Sequence, residues 1–537
     1  MTEISEKKQA IIDAYLEALA KNGFVTMNDL IDSGFTKDMV THHFRSLKKL
    51  TKIVRLHHPD AFFDEYIDKH IGFENVKCLD EIVASNKRFI VTTAVTGRRV
   101  DESLLQAMVS YCEHNNAKIL VLVASDPSTH THAPDAKYGT IDSKIINCPH
   151  AYLVVGDLQL NSNICLSTLK VAAKQIDPST GMARHASNEG TFVFASPKQR
   201  LKAVPAGAGK LPYFTMTTGA VTVPDYSRDF YMSNRTAFMA ERDHVMGGLI
   251  IEIQDDEIYF FRQFQCRDEY SFVDMGIRYS KEGVEDERPE AFVLGDWHSG
   301  STDPQASSVW EEVCKNLKPH RLVLHDTFDG RSINHHERAN VIVRAIRANN
   351  SHHDLESEVE GLVKDLNMLS TWVDKLVVVK SNHDEFLEEY LGKGYYVKDP
   401  QNHLYSLSLA EAMILGKDPL KYAVEQKGFT SWDKVDWLER DEDYRVAGVQ
   451  LGVHGDKGPN GSRGSVKSME VSYGQSITGH SHTPEIVRGA WQTGTSTYLK
   501  LGYNKGASSW LQSSCLLYKD GSRQLINVIN GKYKLED

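Results

Sequence analysis

The segment Ala291-Phe-Val-Leu-Gly-Asp296-Trp-His298 is a short apolar run that ends in an aspartate and a histidine. A short, uniformly apolar run of this kind is typical of a buried strand. Side chains two residues apart on an extended chain point to the same side. Asp296 and His298 are therefore expected to contact one ligand, such as a metal ion, just beyond the end of the strand.

Four further apolar runs in the C-terminal part of the chain also end in carboxylate, amide or imidazole side chains. They are Arg321-Leu-Val-Leu-His-Asp326-Thr-Phe-Asp329, Lys375-Leu-Val-Val-Val-Lys-Ser-Asn382-His383-Asp384, Val449-Gln-Leu-Gly-Val-His454 and Gln475-Ser-Ile-Thr-Gly-His480-Ser-His482. A carboxylate can bridge two cations through its two oxygens, as a pair of closely spaced metal ions requires. Each motif alone is a weak signal, but five of them in order predict a metal site.

This series of motifs resembles that of the calcineurin-like metallophosphoesterase superfamily over about residues 290–537. The pattern of that family is D-x-H, G-D-x-x-D, G-N-H-[DE], a lone histidine and G-H-x-H, and here His325 and Ser381 stand where glycine is usual. The resemblance implies a four-layer αββα sandwich and a two-metal site. It assigns Asp296, His298 and His482 to one metal, Asn382, His454 and His480 to the other, and Asp326 to the bridge between them. It also implies that His383 protonates the leaving oxygen or contacts the phosphoryl group, with Asp384 as its orienting partner.

The reaction implied by the resemblance is hydrolysis of a phosphodiester bond by a water molecule that two metal ions activate. The ligand set mixes nitrogen and oxygen donors and has no thiolate, which suits transition metals better than calcium. Manganese is the expected metal, because the family often uses it with such a set; iron, zinc, cobalt and magnesium are the alternatives.

Residues 1–60 predict a small helix-turn-helix or winged-helix module. A helix is expected from Lys7 to Asn22, a capping box begins a short helix at Thr26, and Thr36 caps a third helix that runs to about Leu50. Residues 52–56 are expected to form a first wing strand. Four basic residues of this part are candidate DNA contacts: Arg45, Lys48, Lys49 and Lys52. The alternative is a solvated basic face on a protein-interaction module, since other modules share this geometry.

Residues 75–285 predict a mixed α/β domain, so the whole chain falls in the α/β class. Strands are expected to begin at Arg88 and Lys118, on either side of a helix over Glu102–Asn115. No P-loop or dinucleotide fingerprint occurs in this region, and its role is not assigned; it is a candidate surface for homo-oligomer formation. Residues 385–450 are expected to form a helical cap inserted over the metal site, and residues 497–502 are expected to form a late strand.

Two features favour DNA as the substrate. The Asp-Thr-Phe-Asp form of the second motif resembles that of the repair nucleases of the superfamily, and the predicted N-terminal helix-turn-helix module adds a way to hold DNA. The multidomain layout is also similar to phage-encoded DNA-degrading nucleases. Candidate substrate contacts near the site are Arg331, His335, Arg338 and Arg463. The alternative function is a phosphatase or small-molecule phosphodiesterase, acting on a nucleotide or a phosphoprotein, with the same metal site. A metal-free binding scaffold ranks last, because all seven expected ligands are present.

The composition of the chain limits which partners and which cellular compartment are expected. The chain has 537 residues and a net charge of −11, so any nucleic-acid site must be a local basic patch. The seven cysteines are scattered and never form Cys-x-x-Cys, which indicates a reducing compartment rather than a disulfide framework. No apolar stretch is long enough to span a bilayer. We therefore expect a cytoplasmic protein without a membrane partner, in the host cytoplasm if the source is viral.

Overall fold

The computed structural model describes residues 6–22, 25–57, 73–124, 141–169, 171, 175–207, 209–226, 234–267, 270–334, 340–350, 353–502 and 504–536. The chain is a mixed α/β protein with several sheets, as the sequence predicted in outline. None of its described helices is sufficiently long and apolar to cross a membrane.

The described residues of the N-terminal part form four helices around a core of their own. They are α1 (Glu6–Asn22), α2 (Met27–Asp32), α3 (Lys37–Phe44) and α4 (Leu47–His57). The predicted capping box is present, since the side chains of Thr26 and Asp29 each accept a hydrogen bond from the other's backbone N–H. Apolar residues of this core lie between Ile11 and Val54.

Two expectations for this part were wrong. The third helix ends at Phe44, because Arg45 adopts a φ of 63°, in the left-handed region that ends a helix. The segment expected to be a wing strand is instead the second half of α4. The side chains of Lys48 and Lys52 lie outside the described residues.

The middle part begins with a five-stranded sheet, whose strands lie side by side in the order Tyr259–Gln265, Gly247–Ile253, Arg88–Val95, Lys118–Ala124 and Ala151–Val154. The predicted strand from Arg88 and the helix over Glu102–Asn115 are confirmed as β1 and α6. The elements of the middle part are α5 (Phe73–Ser85), β1 (Arg88–Val95), α6 (Glu102–Asn115), β2 (Lys118–Ala124), α7 (Ser143–Ile146), β3 (Ala151–Val154), β4 (Asp157–Asn161), β5 (Ile164–Ser167), α8 (Ala183–Glu189), β6 (Thr191–Phe194), β7 (Arg200–Val204), β8 (Tyr213–Thr217), α9 (Asn234–Asp243), β9 (Gly247–Ile253), β10 (Tyr259–Gln265), β11 (Phe272–Asp274), β12 (Ile277–Ser280) and β13 (Gly283–Asp286).

The C-terminal part contains a six-stranded sheet of order β17-β16-β15-β14-β23-β24. Its elements are β14 (Ala291–Val293), α10 (Pro304–Leu317), β15 (Arg321–Leu324), α11 (Val341–Asn349), α12 (Leu355–Leu369), β16 (Lys375–Val378), α13 (Asn382–Gly392), α14 (His403–Ile414), α15 (Pro419–Gln426), β17 (Val435–Trp437), β18 (Arg445–Val446), β19 (Val449–Gln450), α16 (Val466–Tyr473), β20 (Ser476–Thr478), β21 (Glu485–Val487), β22 (Ala490–Gln492), β23 (Ser513–Leu517) and β24 (Arg523–Asn527).

A ten-stranded sheet crosses the predicted boundary near residue 290. Its order is β18-β19-β20-β22-β21-β7-β8-β6-β5-β4, and β21 pairs antiparallel with β7 of the middle part. Inward residues of both large sheets, such as Val293 and Trp491, belong to one hydrophobic core. The middle and C-terminal parts therefore share a sheet and a core, and do not form the two separate units that the sequence suggested.

The segment 385–450 is not a simple inserted cap. Helices α14 and α15 occur as expected, but they pack in the core between the six-stranded sheet and its helices. Strand β17, also within this segment, pairs with β16 as the edge strand of that sheet. The expected strand over residues 497–502 is also absent, because this segment forms a loop.

Candidate metal centre

The predicted ligands lie where the strands of two sheets end. Strands β14, β15 and β16 are parallel neighbours, so their carboxyl ends meet at one edge and present Asp296, Asp326 and Asn382. Strands β19 and β20 of the ten-stranded sheet are also parallel and lead to His454 and His480. The sequence predicted this arrangement because each motif directly follows an apolar run.

Four of these side chains stand on strained backbone. The φ angles are 48° at His298, 46° at Asp326, 80° at His480 and 58° at His482. Residues other than glycine rarely adopt such angles, and they persist only where the surrounding structure holds them. The backbone around the site is therefore held in place to aim these side chains.

One buried cluster contains Asp296, His298, Asp326 and His482, whose ligand atoms all lie within 4.8 Å of one another. Nε2 of His298 is 3.1 Å from Nε2 of His482 and 3.5 Å from Oδ2 of Asp326. Nε2 of His482 is 3.2 Å from Oδ2 of Asp296. This group could hold a metal ion.

A second cluster contains Asp326, His454 and His480. Nε2 of His454 lies 3.2 Å from Oδ2 of Asp326, and Nδ1 of His480 lies 3.2 Å from Oδ1 of Asn382. Asp326 belongs to both clusters. All seven predicted ligands are thus brought together, with Asp326 at the centre.

The electrostatics of the clusters fit a bound cation. Burial opposes ionisation of Asp326, but the neighbouring histidines outweigh it and hold its pKa well below its ordinary value. Burial likewise opposes protonation of His298 and His454, yet the carboxylates, Asp326 foremost, raise the pKa of each ring to about 9. Oδ1 of Asp296 and Oδ1 of Asp326 are buried without a hydrogen-bond partner among the described residues. Buried carboxylates need positive charge nearby, and a metal ion would supply it.

A third group places Asp329 between two histidines. Oδ1 of Asp329 is 3.2 Å from Nδ1 of His298, and its backbone carbonyl accepts a hydrogen bond of 2.6 Å from Nδ1 of His383. The carbonyl holds a proton on Nδ1 of His383, and the carboxylate faces Nδ1 of His298, so Nε2 is the atom of each ring left for the site. The sequence motif contained Asp329 but gave it no role.

Asp384 does not contact His383 as the resemblance implied. Its Oδ2 accepts the backbone N–H of Ser381, in a capping box that begins α13. Adjacent residues on a helix point in directions about 100° apart and do not face each other. Burial raises the pKa of Asp384 to about 7. The orienting role therefore falls to the carbonyl of Asp329.

Two carboxylates on α12 support the site and had no signature in the sequence. Oδ2 of Asp365 accepts hydrogen bonds from Nε1 of Trp297, at 2.9 Å, and from Oγ of Ser299, at 2.8 Å, on either side of the candidate ligand His298. Glu358 accepts the backbone N–H of Arg331 at 2.9 Å and so holds the loop that follows Asp329. Neither residue lies at a strand end, so only the fold brings them to the site.

The structure describes two of the four candidate substrate contacts, Arg331 and Arg463. The Arg331 guanidinium lies over the loop after His298, where its Nη1 donates to the carbonyl of Gly300 at 3.1 Å. Arg463 is exposed on a loop that returns to the segment after His454. His335 and Arg338 lie outside the described residues. In the N-terminal part, Arg45 is exposed and Lys49 is half-buried.

Comparison with known proteins shows that this chain is similar to a phage protein. It is 27% identical to Protein A1 of Escherichia phage T5 over 478 residues, which cover 84% of this chain and 83% of that protein. No protein-family model matches the chain. No solved structure matches it either. The similarity thus extends over most of both chains.

Proposed function

We propose that the protein is a metal-dependent phosphodiesterase that hydrolyses DNA. The observation that carries the proposal is the pair of buried clusters that share Asp326, with His383 packed against them. The rings of His298 and His383 are 4.6 Å apart, so a group bound at the clusters would lie next to His383. A carboxylate common to two ligand groups is what two closely spaced cations require.

In this proposal two divalent ions, most simply manganese, occupy the clusters. Asp296, His298 and His482 hold one, Asn382, His454 and His480 hold the other, and Asp326 contacts both. Ions bound in this way supply an activated water for in-line attack and neutralise the phosphate oxygens. The nitrogen and oxygen donors of the site suit transition metals of this class.

His383 is proposed as the acid for the leaving oxygen. The Asp329 carbonyl holds a proton on Nδ1, which leaves Nε2 to hold a second proton against the departing oxygen. Burial lowers the pKa of His383, while the Asp326 carboxylate raises it. The ring is thus fixed in position by a contact that does not depend on its charge.

Two observations support DNA as the substrate. The relative is a phage protein, which is compatible with action in the host cytoplasm. The N-terminal helices carry Arg45 and Lys49 on a chain whose net charge is −11, so this basic part is a local attraction for phosphates. A small phosphoester substrate would need neither feature.

The test is incubation of purified protein with linear and circular DNA in manganese, magnesium or EDTA. We expect metal-dependent loss of DNA that disappears in Asp326→Ala and persists in Asp256→Ala, which removes an exposed aspartate of the middle part. Loss of linear DNA alone would indicate cutting from ends. If no DNA is lost but an aryl phosphodiester is hydrolysed, the substrate is a small phosphoester and the nuclease proposal is wrong.

A further inference from the structure

A loop next to the metal centre is anchored at both ends to the loops that carry metal ligands. It comprises residues 498–502 and 504–510, and we call it the rim loop. At its start, the backbone N–H of Tyr498 donates to the carbonyl of Ser301 at 3.2 Å, three residues after His298. At its end, Trp510 packs edge-on against His482, with ring centroids 4.2 Å apart. The rim loop therefore stands beside the His298 and His482 side of the site.

The rim loop is also fixed from within and from the middle part of the chain. Oδ1 of Asn504 accepts the backbone N–H of Leu501 at 2.8 Å, and its Nδ2 donates to the carbonyl of Leu499 at 2.9 Å. The backbones of Ser508 and Ala206 exchange two hydrogen bonds, of 2.9 and 3.0 Å. A loop held in this way presents its side chains without having to be ordered by a ligand.

The exposed side chains of the rim loop are aromatic and basic. Tyr498 is 49% exposed, and Lys500 and Lys505 are exposed as well. No acidic residue occurs between Glu485 and Asp520, although the chain as a whole has a net charge of −11. The surface that the loop adds to the rim of the site is therefore locally positive and carries an exposed aromatic ring.

We propose that the rim loop binds single-stranded DNA beside the metal centre, with a base stacked on Tyr498 and phosphates held by Lys500 and Lys505. This inference rests on the proposed function, since it names the form of DNA that reaches the site. Aromatic rings with interspersed lysines are the combination that binds single strands, because every unpaired base offers a face for stacking. In a duplex these faces are already covered by neighbouring bases.

The test is binding of a labelled single-stranded oligonucleotide in EDTA, measured by fluorescence anisotropy over a range of salt concentrations. We expect Tyr498→Ala to raise the Kd about tenfold, the order of one stacking contact. The double variant Lys500→Ala/Lys505→Ala should lower the slope of log Kd against log salt by about 1.4, since each lost contact to a single strand contributes about 0.7. A duplex of the same sequence should be affected less by Tyr498→Ala.

Matched controls are Tyr270→Ala and Lys281→Ala/Lys315→Ala, which remove an exposed tyrosine and two exposed lysines elsewhere. Both should bind like the wild type. The inference would be overturned if the rim-loop variants bind the single strand like the wild type. It would also be overturned if they lose affinity for duplex and single-stranded DNA equally. Because binding is measured without metal, a failed cleavage assay with intact Tyr498-dependent binding would count only against the proposed function.

Discussion

At the scale of single residues, Asp329 connects the two clusters of candidate metal ligands with His383, the proposed acid. Its side chain fixes the His298 ring, and its backbone carbonyl fixes the His383 ring. A substitution at this position can therefore remove the first contact and leave the second. Such a separation allows metal binding and proton donation to be tested apart.

Asp329→Asn should weaken metal binding, because the amide loses the charge that holds the His298 ring in position. Loss of an outer partner of a metal-bound histidine costs about 10- to 100-fold in affinity. Titration calorimetry with manganese measures this, with Asp256→Asn as the exposed-carboxylate control. Unchanged manganese affinity in Asp329→Asn would show that the contact does not support the site.

A comparison of His383→Ala with Asp384→Asn tests which residue orients the acid. His383→Ala should lower kcat about 100- to 10,000-fold, the usual contribution of a general acid, and retain bound metal. Asp384→Asn should keep most of the activity and instead lower the melting temperature, because Asp384 caps α13. The measurements are initial rates and thermal unfolding of both variants. If both variants lose kcat equally, Asp384 orients His383 and the assignment of that role to the Asp329 carbonyl is wrong.

The clustering of the candidate ligands could be predicted from the sequence because each of them directly follows an apolar run in a recognisable order. The neighbours that fix them could not. The contact between Asp329 and His383 joins residues 54 positions apart through a backbone carbonyl, which carries no residue-specific signal. Asp365 lies in the middle of α12, where a carboxylate would ordinarily face solvent.

At the scale of elements, the backbone of the turn after β20 lies unusually close to the clusters of candidate metal ligands. The backbone N–H of His480 donates to Oδ2 of Asp296 at 2.8 Å. A side chain at Gly479 would overlap Oδ1 of Asp296 and lie 3.1 Å from Cβ of His325. Glycine is thus required here for the approach of two strand ends rather than for its own backbone angles.

Gly479→Ala should therefore displace Asp296 and abolish metal binding and hydrolysis. Gly502→Ala is the matched control, because a Cβ at that position meets nothing within 4 Å. Metal content after dialysis and hydrolysis of an aryl phosphodiester report the outcome. Normal metal content in Gly479→Ala would mean that the turn can move without loss of the site.

At this scale two predictions from the sequence were wrong, a single helix from Lys37 to Leu50 and a strand from Thr497. The apolar and basic pattern from Lys37 to Leu50 fits one helix, but Arg45 interrupts it and Ser46 begins the next, with its hydroxyl accepting the N–H of Lys49. The segment from Thr497 has the alternation of a strand, yet its anchors to Ser301 and Thr302 hold it as a loop. In the second case tertiary contacts overrode the local preference for a strand.

At the scale of the whole molecule, the shared ten-stranded sheet determines which fragments of the chain can fold independently. A fragment of residues 290–537 would leave β21 without its partner β7 and remove Leu201, Phe214 and Met216 from the common core. We expect that fragment to be insoluble or loosely packed by near-ultraviolet circular dichroism. Residues 73–537 should fold, since the core of the N-terminal helices contains, among the described residues, only residues of that part. A cooperatively folded 290–537 fragment would contradict this view.

The middle part should also make the molecule sensitive to mild acid. Burial lowers the pKa of His244 to about 4, and the hydroxyl of Tyr226 lies 3.0 Å from its Nδ1. Between pH 6.5 and 4 the unfolded chain binds a proton that the folded chain excludes. The free energy of unfolding therefore decreases as the pH is lowered through this range, by at most about 3 kcal/mol. Urea unfolding at several pH values should show a shallower fall for His244→Gln; an identical slope would contradict it.

The same sheet has a consequence for how the chain is made. Arg200 of β7 and Glu485 of β21 are 285 residues apart, so β7 is synthesised long before its partner. At roughly 5–20 residues per second the ribosome needs about 15 seconds to a minute to close that gap. During this interval one edge of β7 remains open, and Lys202, exposed on that strand, is the kind of residue that discourages premature pairing. A slow, late closure of the sheet would keep the candidate metal centre incomplete until β21 has been synthesised.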